Sequence, residues 1–366
     1  HMKHIIYFAL SFCLFLRVSF ISTDEIKHTL HVIHKGISLT EPVACTLVEI
    51  TNEKALPHEF YMDVESVVCG DNQCKIDVVR IYWDELGHFN KLVLPDNVAL
   101  EKSEGKSFTN ADYKKLHEIL KNENSALKNV YKDEIVGTVG SEGVDAMSGE
   151  TILLEKSTYV KGAVWTCYSL WHWAHGDVKQ HIRDITGNSY SKSELQSFLQ
   201  KDNYQLFALE QLIRKKDFSK KTVNAIINAI KTNPELLRTS MRYWNSAPGD
   251  IYQYGAQELL PAVNSANRVL YLTDILQTEQ KLNTAFINAT NPLIAKFSYQ
   301  EIDIFLYILK EKKLTTPNTI AQLTALLRAD DFLISRRVYY FLKTQELSAD
   351  DKLKIEDYYQ QWKHKL

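Results

Sequence analysis

The amino-acid sequence predicts an α+β N-terminal domain, an antiparallel sheet with helices, followed by an all-α, helical-repeat-like domain. Three observations predict it. Between residues 24 and 165, short runs of β-branched and aromatic residues alternate between turn signals. From Lys192 to Leu366 the period changes, and Leu, Ile and Phe recur at i, i+3 and i+4. Between the two, Gly187-Asn188-Ser189 makes a turn, which sets domains at 24–187 and 192–366.

Across all 366 residues, hydrophobic content is 45% and charged content 24%, ordinary globular values. The net charge of −2 points to no nucleic-acid partner, since such a binder is usually clearly basic. His1 before Met2 reads as a tag remnant. Lys3-His4 and an apolar run from Ile5 to Leu16 then describe a secretory signal peptide over residues 1–23. The run is too short for a spanning helix, and no membrane span is expected beyond it. The expected location is therefore periplasmic or secreted.

Strands are expected over Lys27–Ile33, Ala44–Ile50, Glu59–Val68 and Lys75–Trp83. In the third, Phe60, Met62, Val64 and Ser66 share one face. Asp84-Glu85-Leu86-Gly87-His88 turns the fourth into a hairpin with Phe89–Leu94, and Pro95 stops it. Thr109 or Asn110 caps a helix carrying Tyr113, Leu116, Ile119 and Leu120. Leu127–Val139 is irregular. Ala163 to Ala174 is a helical, aromatic-rich segment, and Gly176 breaks it.

Helices then follow at Ser193–Gln200, Gln205–Lys215, Ser219–Lys231, Pro234–Trp244 and Ala256–Leu276. Further ones are expected at Gln280–Ala289, Gln300–Lys310, Pro317–Ala329, Phe332–Thr344 and Asp350–Trp362. Short links and recurring Ser and Thr caps suggest stacked helical hairpins, HEAT-like or a bundle, without a strict sequence period. Arg242-Tyr243-Trp244-Asn245 and Ser335-Arg336-Arg337-Val338-Tyr339-Tyr340 read as ordinary polar faces of amphipathic helices, with a partner surface as the alternative.

In an oxidising compartment, Cys69 and Cys74 are expected to close a small disulfide loop, the Gly and Asn between them reversing the chain. Cys45 and Cys167 read as buried thiols, with a second disulfide as the alternative. His172, His175 and His181 lack a carboxylate or Cys to complete a metal set, so no metal is expected. Trp165, Tyr168, Trp171 and Trp173 have the spacing of a helix core, with stacking on a planar ring as the alternative. Adjacent acids such as Asp84 and Glu85 read as solvated turn residues, with acid–base work as the alternative.

Chemistry is suggested by Asp145-Ala146-Met147-Ser148-Gly149-Glu150-Thr151. Ser148 and Thr151 offer hydroxyls, and Gly149 permits close backbone approach to a phosphate. The stretch resembles the Asp-x-x-Ser-Gly-Ala-Thr signature of FMN-binding domains, such as the one found in the sodium-pumping quinone reductase. The resemblance covers roughly residues 60–176. It implies FMN held by Asp145, Ser148, Gly149 and Thr151, either bound without a covalent link or joined to Thr151 through a phosphodiester. Glu150 departs from the family's Ala and adds a negative charge beside the phosphate site. The resemblance further implies electron transfer, with the helical domain docking a redox or envelope protein partner. The alternative is a cofactor-free interaction or scaffold protein built on the same fold.

Overall fold

The computed structural model describes residues 24–67, 75–131, 134–135 and 154–366. The expected 1–23 signal segment lies outside them. The chain divides into two compact units, meeting between Thr186 and Gly187. The first carries an antiparallel sheet with helices and the second is all helix, the fold class that the two periodicities predict.

In the first unit five strands pair in chain order: β1 (Glu25–Val32), β2 (Val43–Thr51), β3 (Pro57–Glu65), β4 (Val78–Asp84) and β5 (Phe89–Val93). All neighbours are antiparallel, as hairpin links demand. Period-two alternation sends Phe60, Met62 and Val64 of β3, with Val79, Ile81 and Trp83 of β4, to one buried face. Burying each such side chain contributes about 1.5–3 kcal/mol. The β4–β5 turn is held by Asp84, whose carboxylate accepts from the amides of Leu86 and His88 and bonds the His88 ring. Gly87 sits at φ 76°, the left-handed region such a loop requires.

Helix α1 (Asn110–Lys121) starts at Thr109, which forms a reciprocal capping box with Asp112. Helix α2 (Val164–His175) is buried nearly all round, which is why its apolar residues show no single stripe. A further helix, α3 (Asp177–Asn188), follows immediately after Gly176. The sequence pattern predicts no helix there. Its apolar residues Val178, Ile182 and Ile185 are only three and sit among charged neighbours.

The second unit runs through α4 (Lys192–Phe198), α5 (Gln205–Arg214), α6 (Lys220–Thr232), α7 (Leu236–Ser246) and α8 (Gly249–Leu259). It continues with α9 (Ser265–Gln277), α10 (Thr284–Thr290), α11 (Tyr299–Glu311), α12 (Pro317–Ala325), α13 (Phe332–Leu342) and α14 (Ala349–Trp362). The single helix expected over Ala256–Leu276 is two. Pro261 has no amide to continue a helix, and Asn264 caps the next one through the Asn267 amide.

Each helix packs on the helix two places along. One layer is α5-α7-α9-α11-α13, and the other runs α4-α6-α8-α10-α12-α14, with residues Asn291–Lys296 linking α10 to α12. The repeat is about 30 residues, within the range of helical-hairpin solenoids. It is written in side-chain bonds too: Lys231 to Glu258, Asn245 to Asp274, Arg268 to Glu301 and Asp303 to Arg337 each join one repeat to the next. Two turns share one design. Lys216 after α5 and Lys313 after α11 both adopt left-handed φ, 47° and 54°. In each, the following amide reaches back to a helix carbonyl five residues earlier. No helix among the described residues is long and apolar enough to cross a membrane.

Candidate functional site

The Asp145–Thr151 motif lies outside the described residues, as do Cys69 and Cys74. What can be placed is the segment that follows the motif, helix α2. Its aromatic and imidazole side chains are bound to main-chain carbonyls. Tyr168 donates to Val130, Trp171 to Asn122, His172 to Leu127 and His175 to Leu120, at 3.2, 2.9, 3.1 and 2.6 Å. The Trp83 indole of β4 donates to Ala174 at 2.8 Å, satisfying a carbonyl that the helix end leaves open. His34 donates to Ser169 at 2.9 Å and accepts from the Gly36 amide, which fixes its neutral tautomer.

These bonds have an electrostatic consequence. Burial, reinforced by His34 and Lys35, pushes His172 down to about 3. Burial also lowers His175. Both rings stay neutral, and each donates from Nε2 to a main-chain carbonyl. His181 lies on α3, beyond the Gly176 break. Cys167 is fully buried, accepts from the Val160 amide and is pushed up to about 12. Cys45 is half-buried, and burial raises it as well; both thiols are free. The alternative reading, a second disulfide between them, is not formed.

Trp171 and Trp173 are buried, and Tyr168 fully so, as core spacing predicts. Their rings pack on histidines: Tyr168 edge-on to His172 at 4.4 Å, Trp171 tilted on His175 at 4.8 Å and Trp173 tilted on His34 at 4.3 Å. Trp165, half-buried, packs edge-on to Tyr168 at 6.2 Å.

Of the two stretches in the helical unit for which a partner surface is the alternative reading, one is mostly core. Tyr243 and Trp244 are wholly buried, and only Arg242 and Asn245 face outward. The other leaves part of its length exposed. Along α11 and α13, Tyr307, Leu333 and Tyr340 are 45%, 56% and 42% exposed. Arg336 is exposed beside them, and the Arg337 guanidinium lies 5.2 Å from the Tyr307 ring centre. Arg337 is also bonded to Asp303 at 2.5 Å, which fixes its position. Sequence reasoning missed Tyr307 because it joins this patch only through helix stacking, and Leu333 because it lies on the same helix just ahead of the Ser335–Tyr340 stretch. No family model, curated protein or solved structure matches this chain.

Proposed function

We propose that the chain is an interaction protein whose helical unit docks a protein partner through the α11–α13 patch. The observation that carries it is the exposed Tyr307–Leu333–Arg336–Tyr340 surface. Tyr and Arg concentrate binding energy at interface centres because they combine apolar area with a fixed polar handle. Here Asp303 holds Arg337 in place, so little ordering remains to be done on contact. The partner side that fits is apolar at its centre with carboxylates opposite Arg336. A photocrosslinker at Tyr340 in the expressing cell should give one saturable adduct. That adduct should vanish in Leu333→Glu/Arg336→Glu, with the unfolding midpoint of the variant unchanged. No adduct, or one indifferent to these substitutions, overturns the proposal.

A second function is supported by the Asp145–Thr151 motif: an exported, periplasmic or secreted flavoprotein carrying FMN for electron transfer. Tyr168, Trp171 and Trp173 of α2 are largely spent on core packing, so the motif is the observation that supports it. Co-expressed with a flavin transferase, the mature protein should be yellow and heavier by one FMN adduct, and Thr151→Ala should remove both. A colourless chain of unmodified mass sinks covalent attachment. A flavin titration without fluorescence change removes the non-covalent form.

A further inference from the structure

Strands β2 and β3 are ladder partners for only part of their length. Their pairing runs from Thr51–Pro57 to Val48–Tyr61 and stops. β2 extends further as Val43–Leu47, held by β1. β3 extends further as Met62–Glu65, held by β4. Among the described residues, no ladder joins these two extensions. Two strand edges thus border one opening, a cleft of about 600 Å³. Val64, Cys45 and Trp173 line it from the core side of the sheet, and Lys27 and Glu65 from the other face. The indole N–H of Trp173 is buried and has no hydrogen-bond partner among the described residues.

A strand edge offers amides and carbonyls at every second residue, and leaving them without partners is costly. We propose that the N-terminal unit binds an extended peptide segment of a partner protein in this cleft, as an inserted strand between β2 and β3. A peptide backbone is the group that answers both edges in register, because its own donors and acceptors alternate along two sides. Edges of four and five residues match a guest of about five residues, ~15 Å long. Since β2 and β3 run antiparallel, the guest lies antiparallel to one and parallel to the other. Its inward side chains meet Cys45, Val64 and Trp173 and are apolar. Its outward ones lie between Lys27 and Glu65 and are polar. This site is in the other unit from the α11–α13 patch and stands independently of it.

Cys45 allows a direct test. The probe is acetyl-Val-Thr-Cys-Thr-Val-amide, whose Val and Cys side chains share one face of an extended strand, activated as its mixed disulfide with 2-thiopyridine. The Cys45 thiolate attacks the peptide sulfur, a disulfide forms to Cys45, and 2-thiopyridone leaves with the electron pair. The control is acetyl-Val-Pro-Cys-Pro-Val-amide, which keeps the inward face and cannot donate at two positions. Peptide mapping locates the label on Cys45. Hydrogen exchange at those amides of 43–47 and 62–65 that do not bond β1 or β4 should slow at least tenfold with the first probe and stay unchanged with the second. Equal exchange with both probes, or amides already protected in the unlabelled chain, overturns the proposal. So does a concentration-dependent dimer that the tethered first probe dissolves, which assigns the cleft to a second copy.

Discussion

His172 shows how a single residue can look chemical and act structurally. Its ring is neutral in the fold because burial and neighbouring positive groups push it down to about 3. Once unfolded it titrates near 6.5. The unfolded chain therefore binds a proton that the folded chain refuses, so stability is intact above 6.5 and falls as pH drops towards 3. One such proton gives a slope of about 1.4 kcal/mol per pH unit. His175 shifts in the same direction. Urea midpoints measured from pH 7 to 4 should fall, and His172→Gln should flatten that fall by about the slope of one proton. Equal slopes in both proteins would remove the assignment. From sequence, the histidine spacing around Gly176 was legible. The carbonyls that hold the rings were not, because Leu120 and Leu127 lie about 45–55 residues away and no local pattern records them.

At the scale of elements, helix ends and glycines carry the testable strain. Lys216 and Lys313 occupy the left-handed region where a side chain clashes with its own carbonyl and glycine does not. Both are exposed, so replacement removes no packing. Lys313→Gly should raise the unfolding free energy by roughly 0.5–1 kcal/mol, read by denaturant titration, and Lys216→Gly should do the same. Gly255 runs the other way. A Cβ there would stand 2.7 Å from the ring of Trp244, which is wholly buried. Gly255→Ala should cost about 1–3 kcal/mol by overpacking, and thermal denaturation checks it. The elements themselves were largely legible, since burial imposes period two on strands and 3.6 on helices. The failures have local causes. The apolar run across Pro261 hid the break between α8 and α9. The charged residues around Val178 and Ile182 hid α3. The cleft between β2 and β3 was illegible, because it depends on where a ladder between two separate strands stops.

Over the whole molecule, stability in the helical unit passes from neighbour to neighbour. Arg268 of α9 and Glu301 of α11 form one of these joints, at 2.5 Å, with Glu301 only 1% exposed. Ser265, Ser298 and Arg268 bind its carboxylate and hold it below the usual range against the opposing effect of burial. Arg268→Ala strands that charge, and the expected loss is about 3 kcal/mol. Because contacts in a stack are local, the loss should divide the unit's unfolding into two steps, seen by calorimetry as a split transition. A single transition at lower temperature would mean that the repeats are coupled beyond nearest neighbours. The two-place stacking also fixes how this half of the chain answers a pull. No helix layer is clamped by a distant one, so tension applied at its ends would find no single bond set to shear. It would peel the helical pairs off one after another, giving a soft, stepwise tether that lengthens under load and recoils by re-stacking.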